Sequence, residues 1–466
     1  MDRRRDRVHA LLEELKALLG DGGVIEGAEV AQRATSFWDA RPHQARAIVR
    51  PRTTGEVSRV LAACHAAGHP VVTQGGVTGC SMGADAQTGE IALSTERMRA
   101  IEAIDPIGAT ATVQAGVTMQ SLQEAAREHG LLYAVDLGAR GSCTIGGNVA
   151  TNAGGINVLR YGMMRAQVLG LEAVLADGTV VSSMNHMLKN NAGFDIKQLM
   201  IGTEGALGVV TRVVVRLHPL PSSRNTAMVA LQTFEEVTTL LGRMQREMAG
   251  TLSAFEVMWD NYYLAATEPG GHRPPLARDY PFYVLMEAEG ADPAADAVRF
   301  EQVLEAAMEQ GLILDAVIPQ SESERRALWD IRENFEFMMA NRTTYLYDVS
   351  LPIREMAGYA AEVQASTAGT WPDGRTIIFG HLADGNLHLF IQPQDDNATH
   401  AASDALVYAP LTTRHGSVSA EHGIGLEKQG WLNRCRTAAE LDLMRTLKQA
   451  LDPKGILNPG RVIPPP

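Results

Sequence analysis

The chain has 466 residues, of which 45% are hydrophobic and 20% charged, so it is globular and long enough for two or three domains. A net charge of −13 argues against nucleic acid or a broad anionic lipid surface as the partner, so any anionic ligand has to be held locally. No apolar run approaches the ~20 residues of a membrane span. The four scattered cysteines are typical of a reducing cytoplasm, and peripheral membrane association stays open.

The first half of the chain alternates helical and strand patterns. Residues 1–20 predict an amphipathic helix rather than a signal peptide. Residues 53–68 begin with a capping-box pattern and predict a second helix, and an apolar strand follows from residue 70. A hairpin is predicted about the Asp-Gly pair at 177–178. The strand pattern "VVTRVVVRL" then closes this region near residue 219.

Beyond residue 219 the order of patterns is strand, helix, strand, strand, helix, strand. That order predicts a βαββαβ, ferredoxin-like unit. Residues 321–340 predict one further helix, which precedes the strand "TYLYDVSLP". The stretch "FGHLADGNLHLF", residues 379–390, comes next.

Two histidines in this last stretch flank an Asp-Gly turn signal. If Asp384 and Gly385 form a tight two-residue hairpin loop, His381 faces His388 across the ladder. Directly opposed residues have Cβ atoms about 4.5–5.5 Å apart, so both rings could bind one metal ion. The alternative is that both are ordinary half-buried strand residues, which this stretch alone does not exclude.

Three glycine-rich stretches lie in the first half, at residues 73–84, 138–155 and 191–208. None has a dinucleotide-binding G-x-G-x-x-G in the usual strand-to-helix position, and none ends as a P-loop does. Successive backbone amides beside glycines can hold an anion such as a pyrophosphate without cationic side chains. Ordinary tight loops are the alternative, which three dense clusters in one region make weak.

These loops resemble the FAD-binding loops of the vanillyl-alcohol-oxidase (PCMH-type) flavoproteins, and within them the FAD-linked D-2-hydroxyacid dehydrogenases. The resemblance runs from about residue 45 through "GHLADGNLH", "SAEHGIG" and "LDPKGILNPG". It implies non-covalent FAD, because no His follows the glycine pair where covalent relatives attach the flavin. Val77 departs from the family's Gly or Asn, and Ala84 replaces the second glycine of a pair. The implied FAD-binding residues are Gln74, Gly75, Gly76, Thr78, Gly79, Gly141, Ser142, Gly146, Gly147, Asn148, Thr151, Asn152, Gly154, Glu204, Gly208, Val209 and Asn458.

The fold that the resemblance implies is of the α+β class. It consists of a two-subdomain PCMH-type FAD-binding domain and a ferredoxin-like antiparallel-sheet cap domain for the substrate. The C-terminal segment is expected to return to the FAD domain and to complete the active site. The expected division is an N-terminal helical segment at 1–42, the FAD-binding domain at 43–219, the cap at 220–410 and the C-terminal segment at 411–466.

The resemblance also implies a metal site and a catalytic base. His381, His388 and Glu421 resemble the ligands of a divalent metal, and His422 resembles the base. Two His and one carboxylate with an open position form a catalytic zinc ligand set, while Mn²⁺ and Fe²⁺ stay open. In an extended segment Glu421 and His422 would point to opposite sides. Asn386 could hydrogen-bond a substrate carboxylate or hydroxyl, or could merely make the turn.

Arg332 resembles the arginine that binds the substrate carboxylate in this family. The alternative is a surface arginine paired with Glu336 one helical turn later. Relatives that oxidise 2-hydroxyglutarate carry a Thr and a Lys where this chain has Glu336 and Leu346. A monocarboxylate such as D-lactate, glycolate or a longer-tailed analogue is therefore favoured. Four nearby residues, Phe335, Phe337, Met338 and Met339, are apolar, although packing in a helix core explains most such residues.

The sequence thus predicts an FAD- and metal-dependent D-2-hydroxyacid dehydrogenase. Its electron acceptor could be a quinone, an electron-transfer flavoprotein or another oxidant. One alternative is a non-catalytic, accessory FAD-binding subunit of a glycolate-oxidising complex, against which the intact set of three metal ligands and a base argues. A flavin-free metallohydrolase would leave the glycine loops unexplained. A homodimer stays open.

Overall fold

The computed structural model describes residues 2–268, 271–339 and 342–464, and the side chains of residues 2–6, 336 and 337 lie outside that description. The chain forms two compact units. The first unit comprises Met1–Gly155, Gly162–Leu220 and Glu421–Pro466, so the chain returns to it at Glu421 rather than at the predicted residue 411. The second unit comprises Ile156–Tyr161 and Pro221–Ala420.

The helices are mostly short, and among the described ones none has the length and apolar character needed to cross a bilayer. The α-helices are α1 (Asp2–Leu19), α2 (Ala28–Ala31), α3 (Thr54–Ala67), α4 (Met119–Glu128), α5 (Ile145–Thr151), α6 (Val158–Tyr161), α7 (Met164–Gln167), α8 (Phe234–Glu247), α9 (Asp260–Thr267), α10 (Pro293–Glu309), α11 (Glu322–Glu333), α12 (Glu336–Met339), α13 (Ile353–Thr370), α14 (His400–Tyr408) and α15 (Ala438–Leu451). Short 3₁₀ helices are Ile196–Leu199, Leu382–Asp384, Ala409–Arg414 and Gln429–Arg434.

The strands form three sheets in the first unit and one large sheet in the second. They are β1 (Val24–Glu26), β2 (Ala47–Val49), β3 (Val71–Gln74), β4 (Ile91–Ser94), β5 (Ile101–Asp105), β6 (Thr110–Gln114), β7 (Leu131–Leu132), β8 (Val168–Val174), β9 (Val180–Ser183), β10 (Val209–Arg216), β11 (His218–Pro219), β12 (Ser223–Leu231), β13 (Leu252–Trp259), β14 (Phe282–Gly290), β15 (Asp315–Val317), β16 (Tyr345–Ser350), β17 (Arg375–His381) and β18 (Asn386–Gln392).

The first sheet has the order β1-β2-β4-β3, with β2, β4 and β3 parallel. Helices α1 and α3 bury their apolar faces in the same core as its strands. The predicted second helix is confirmed as α3, which ends at Gly68 in the left-handed conformation. Its capping box is only half formed. The Thr53 side chain accepts from the Glu56 N–H, but the Glu56 carboxylate accepts from the Arg52 N–H at 2.7 Å instead of from Thr53.

The second sheet is antiparallel in the order β5-β6-β10-β8-β9. The predicted hairpin about residues 177–178 is confirmed, because β8 and β9 pair from Val174 opposite Val180. The predicted closing strand is β10, at the centre of the sheet. Residues of α4 and α5 share the core of this sheet, so the glycine-rich segment around α5 is held against it.

The second unit is built on a seven-stranded antiparallel sheet in the order β15-β12-β14-β13-β17-β18-β16. Strands β12 to β15 with α8 and α10 are the predicted ferredoxin-like unit, and their order in the sheet is the order of that motif. Strands β17, β18 and β16 continue the sheet beyond β13. The histidine-bearing strands are therefore an extension of the cap sheet.

The single helix predicted over residues 321–340 is two helices, α11 and α12. The Tyr262 hydroxyl donates to the carbonyls of Ile331 and Arg332, at 3.2 and 2.7 Å. A continuous helix would direct the Phe335 N–H to the Ile331 carbonyl, but that N–H bonds to the Glu333 carbonyl instead. A tertiary contact from α9 therefore competes for the carbonyls at the end of α11, and the pattern of residues within the helix does not show it.

Candidate functional site

The two histidines lie on adjacent strands of the second unit, on one face of the sheet. The predicted direct opposition is wrong, because His388 pairs with Phe379 in the register of β17 and β18. The connection is longer than two residues, since Leu382–Asp384 form a 3₁₀ turn before the left-handed Gly385. His381 and His388 become diagonal neighbours, and their ring centroids are still 5.3 Å apart.

A buried glutamate joins the histidine pair to the predicted substrate arginine. Glu256 of β13 lies opposite His381 in the ladder. Its Oε1 is 2.8 Å from His381 Nδ1. Its Oε2 accepts from Arg332 Nε at 2.9 Å and lies 2.7 Å from Nη2. Burial acts to raise the pKa of Glu256, but His381 and Arg332 outweigh it and hold the pKa below its usual value.

Sequence reasoning missed Glu256, although a signal was present. All eight residues of β13 are buried, and Glu256 is the one charged residue in the apolar run "LSAFEVMW". A carboxylate in such a strand has to be paired, because an isolated buried charge is very unfavourable. Its presence could have predicted a cationic partner on a neighbouring element.

Arg332 is a buried residue, so the alternative of a surface arginine is wrong. Its relative exposure is 4%, and its guanidinium carbon lies 4.7 Å from the centroid of the Phe379 ring. The Arg332 guanidinium contacts Glu256 through Nε and Nη2. Among the described residues no group accepts a hydrogen bond from Nη1. The side chain of Glu336, the partner in the alternative interpretation, lies outside the described structure.

Asn386 is buried and its side chain does not make the turn. Asp384 does so, since its Oδ1 accepts from the Asn386 N–H at 3.2 Å. The Asn386 amide nitrogen donates to the Val349 carbonyl at 3.0 Å, whereas its Oδ1 is buried with no hydrogen-bond partner among the described residues. A buried acceptor without a partner destabilises by roughly 1–3 kcal/mol. Oδ1 is therefore suited to accept a hydrogen bond from a ligand.

The segment that carries Glu421 and His422 bends, and so differs from the extended backbone assumed from the sequence. Both side chains are half-buried. Within the first unit, Glu421 Oε1 accepts from the Gly155 N–H at 2.8 Å. The Ser81 hydroxyl donates to the His422 carbonyl at 2.8 Å. The first and second glycine-rich stretches thus both anchor this pair.

The first two glycine-rich stretches pack against each other within the first unit. A Cβ on Gly76 would lie 2.0 Å from the Ser142 carbonyl oxygen, and one on Gly75 would lie 2.5 Å from the Thr144 hydroxyl. Only glycine permits this approach. A Cβ on Gly79 would meet nothing within 4 Å, so the first loop also has an open side. This combination of close backbone packing and open space fits a cradle for a ligand.

Val77, the departure from the family pattern, adopts the left-handed conformation with φ of +47°. A β-branched residue is strained there, whereas Gly or Asn tolerates it. Two residues between β1 and β2 hold the loop in place. The Phe37 N–H donates to the Val77 carbonyl at 3.0 Å, and the Trp38 indole donates to the Thr78 carbonyl at 2.9 Å. These two contacts hold the loop on both sides of the peptide bond between Val77 and Thr78.

Glu204 and Asn458 connect the glycine loops to the C-terminal segment. The Glu204 carboxylate accepts from the N–H groups of Ile424 and Gly425 at 2.7 and 2.9 Å. Burial raises the pKa of Glu204, although these two amides oppose the shift. Asn458 Oδ1 accepts from the Thr73 N–H at 2.9 Å, and its Nδ2 donates to the Glu204 carbonyl. The polar atoms of both side chains therefore bind protein groups.

The remaining predicted FAD contacts all lie in the first unit. Gln74 ends β3, and its side-chain amide donates to the Ala84 carbonyl at 2.8 Å. Asn148 is buried inside α5. Their roles stay predictions. Gly141, Ser142, Gly146, Gly147, Thr151, Asn152 and Gly154 lie within or beside α5, and Gly208 and Val209 lie at the start of β10.

Two protein-family models match the chain. Residues 45–183 match an FAD binding domain. Residues 220–462, more than half of the chain, match the C-terminal domain of FAD linked oxidases.

Curated proteins are similar to this chain over most of its length. The chain is 40% identical over 434 residues to a D-2-hydroxyglutarate dehydrogenase of Xanthomonas citri pv. viticola, with 92% of this chain and 90% of the relative covered. It is 39% identical over 422 residues to a mitochondrial D-2-hydroxyglutarate dehydrogenase of Bos taurus, with 90% and 77% covered. It is 34% identical over 483 residues to a putative mitochondrial D-lactate dehydrogenase of Schizosaccharomyces pombe, with 98% and 92% covered.

Solved structures share the fold at low identity. A p-cresol methylhydroxylase with substrate bound has a TM-score of 0.77 at 17% identity, covering 98% of this chain and 97% of its own. An alkyldihydroxyacetonephosphate synthase has a TM-score of 0.75 at 18% identity, covering 97% and 85%. The predicted α+β fold of the vanillyl-alcohol-oxidase type is thus confirmed. The chain belongs to the family of FAD-linked oxidases.

Proposed function

We propose that this protein is an FAD- and metal-dependent dehydrogenase that oxidises a D-2-hydroxyacid to the 2-oxoacid. The names of the relatives, D-2-hydroxyglutarate and D-lactate dehydrogenases, support the reaction class. The observation that carries the proposal lies in the second unit. Two imidazoles on one sheet face stand beside a buried arginine, Arg332, and a buried amide oxygen of Asn386 that has no partner. This set of groups suits a small anion that also carries a hydroxyl group.

The proposed cofactor is non-covalent FAD, held by the glycine-loop residues named above. The family match supports it, and so does the cradle formed where Gly76 packs on the Ser142 carbonyl beside the open side at Gly79. When bound, FAD supplies the acceptor for the hydride that leaves C2 of the substrate. The backbone amides of the loops compensate the pyrophosphate charge, which an acidic protein of net charge −13 has to do locally.

The proposed metal ligands are His381, His388 and Glu421, with zinc as the ion and Mn²⁺ or Fe²⁺ as alternatives. The Ala420 N–H donates to the Asp348 carboxylate at 2.8 Å, and Asp348 lies opposite His388 in the ladder. Glu421 is the next residue of the chain, which supports its inclusion. When bound, such an ion supplies charge stabilisation for the oxygen of the substrate hydroxyl.

The proposed roles of the other residues follow from their chemistry. His422 accepts the hydroxyl proton, because imidazole is the side chain most often used as a general base. Arg332 holds the carboxylate beside C2 through the part of its guanidinium that Glu256 does not use. Asn386 accepts a hydrogen bond at Oδ1 and orients the hydroxyl. The acceptor for the electrons is a quinone, an electron-transfer flavoprotein or another oxidant.

We propose a monocarboxylate substrate rather than 2-hydroxyglutarate. Leu346 lies opposite Phe390 in the ladder and packs against the apolar cluster that contains Phe379. It cannot pair with a second carboxylate, and Glu336 would repel one. The reducing cytoplasm, to which the cysteines point, is the proposed location, while the word mitochondrial belongs to the names of relatives.

Anaerobic bleaching of the flavin tests the proposal. The purified protein is mixed with D- and L-lactate, glycolate, longer-tailed D-2-hydroxyacids and D-2-hydroxyglutarate, and the flavin absorbance is followed. We expect the D-monocarboxylates to bleach the flavin fastest and the L-isomers to leave it oxidised. A colourless protein, or a flavin that no 2-hydroxyacid reduces, would contradict the proposal. Fastest bleaching by D-2-hydroxyglutarate would contradict the monocarboxylate preference alone.

A further inference from the structure

We infer that Glu256 is a positioning residue that orients the ring of His381 for metal binding and links it to Arg332. The inference rests on the proposed metal-ligand role of His381. Glu256 is 1% exposed, and each of its carboxylate oxygens has its own partner in the second unit. Oε1 is bonded to His381 Nδ1 and Oε2 to Arg332.

The Glu256 carboxylate determines the tautomer of His381. An ionised carboxylate can only accept hydrogen bonds, so the proton of the imidazole has to be on Nδ1. The lone pair is then on Nε2, which is the nitrogen that would bind a metal ion. Metal-binding histidines commonly donate their other N–H to a carboxylate, and this raises the basicity of the ligand nitrogen. The 2.8 Å contact between Glu256 and His381 has this geometry.

The negative charge of Glu256 is compensated by Arg332. An unpaired carboxylate at this depth would be strongly destabilising. Arg332 compensates its charge, because Nε and Nη2 both approach Oε2. The same arginine is the proposed carboxylate-binding group. Glu256 therefore connects the residue that orients the substrate with the residue that holds the metal.

The Glu256 carboxylate is held rigidly by its strand and by neighbouring side chains. Glu256 lies on β13, which is paired on both sides, by β14 and β17. The Phe379 ring lies under the Arg332 guanidinium, and the Tyr262 hydroxyl bonds the Arg332 carbonyl. Side chains from three elements thus fix the carboxylate. A fixed carboxylate holds the imidazole plane in one orientation, which a metal ligand requires.

The test measures zinc affinity in the flavin-loaded, metal-stripped protein by competition with a chromophoric chelator. Glu256→Gln keeps the size of the side chain but removes its charge and one of its two acceptor oxygens. We expect zinc affinity to fall by about 10–100-fold, as for other groups that orient metal ligands, with flavin content unchanged. His381→Ala, measured in parallel, should lose zinc binding more severely.

Glu287→Gln is the matched control. Glu287 is also buried, on the neighbouring strand β14, and accepts from Arg325 and Trp329 at 3.0 Å without touching a histidine. This variant should lower the melting temperature but keep the wild-type zinc affinity. A loss of zinc affinity as large as that of Glu256→Gln would overturn the inference, because the effect would then be general destabilisation.

A second variant guards against misfolding. Removal of Glu256 leaves the Arg332 charge buried, so Glu256→Gln combined with Arg332→Met removes both charges together. It should show the same zinc loss as the single variant. If either variant binds zinc as tightly as the wild type while His381→Ala binds it more weakly, the role of Glu256 is overturned but the proposed metal site is not. A wild type that binds no zinc would overturn the proposed metal site as well.

Discussion

At the residue scale, three of the polar side chains proposed to act in the site are buried and have few hydrogen-bond partners. The Asn386 Oδ1, the Arg332 guanidinium and the Glu256 carboxylate are all nearly inaccessible to solvent. Burial of such groups is unfavourable unless each polar atom is satisfied. A ligand that satisfies Asn386 Oδ1 would explain its burial.

Replacement of His422 by Ala tests the proposed base. The variant should keep its flavin and its zinc, because neither the loop residues nor the proposed metal ligands change. Its rate of anaerobic flavin reduction should fall by ~10²–10⁴-fold, the usual effect of losing a general base. Stopped-flow absorbance measures this directly. A fall of less than threefold would show that another group takes the proton.

Replacement of Val77 by Gly tests the backbone strain in the first loop. Relief of the left-handed conformation should raise the free energy of unfolding by about 1–2 kcal/mol. The greater conformational entropy of glycine in the unfolded chain should lower it by roughly 0.5–1 kcal/mol. We expect a small net stabilisation in chemical unfolding of the apoprotein. Val180→Gly, in the exposed strand β9, is the control and should destabilise. Destabilisation by Val77→Gly would mean that the Val77 side chain contributes more than the strain removes.

At the element scale, sequence patterns predicted the helices and strands but not the contacts made by side chains from elsewhere. The order of β12 to β15 followed from the βαββαβ succession of strand and helix patterns. The register of β17 and β18 did not, because Leu382–Asp384 form a 3₁₀ turn that an Asp-Gly signal does not reveal. The end of α11 also depends on a distant residue, Tyr262. The proposed metal ligands and base followed from the resemblance to family motifs, whereas the partners of Glu256 depend on neighbouring elements that the sequence pattern does not show.

Replacement of Gly76 by Ala tests the packing of the two glycine loops. Its Cβ would overlap the Ser142 carbonyl oxygen, so the loops have to separate. We expect a lower flavin content after purification and a lower melting temperature. Gly55→Ala at the start of α3 is the control, because its Cβ would have 3.9 Å of clearance to the nearest atom. Full flavin occupancy in Gly76→Ala would show that the approach of these loops is not needed for binding.

At the scale of the whole molecule, the glycine loops proposed to bind FAD and the two histidines proposed to bind the metal belong to different units. The glycine loops lie in the first unit, and both histidines, Arg332 and Asn386 lie in the second. Glu421 and His422 begin the C-terminal segment that returns to the first unit. The two functions should therefore be separable by mutation.

Replacement of His381 or His388 by Ala tests that separation. Either variant should lose bound zinc and turnover, while acid precipitation still releases a full complement of FAD. Metal analysis and flavin absorbance on the same sample measure both quantities. Loss of FAD from these variants would contradict the assignment of the two functions to different units.

Exchange of the two substrate-selecting positions tests the preference for monocarboxylates. Leu346→Lys with Glu336→Thr should narrow the gap in kcat/KM between D-lactate and D-2-hydroxyglutarate, because a cation for the distal carboxylate is restored. A site that hydrogen-bonds a substrate group discriminates strongly against analogues that lack it. Arg332→Ala should instead weaken all substrates alike. An unchanged ratio in the double variant would place distal selection at other residues.

Metal-dependent oxidation of a D-2-hydroxyacid is tested most directly by the rate at which such an acid bleaches the flavin. The rate is measured before metal removal, after metal removal and after zinc is restored. We expect rapid bleaching in the metal-loaded protein, a rate at least about 100-fold lower after chelation with FAD still bound, and recovery of the rate on addition of zinc. Undiminished bleaching in a protein shown by metal analysis to be metal-free would contradict the proposed metal dependence.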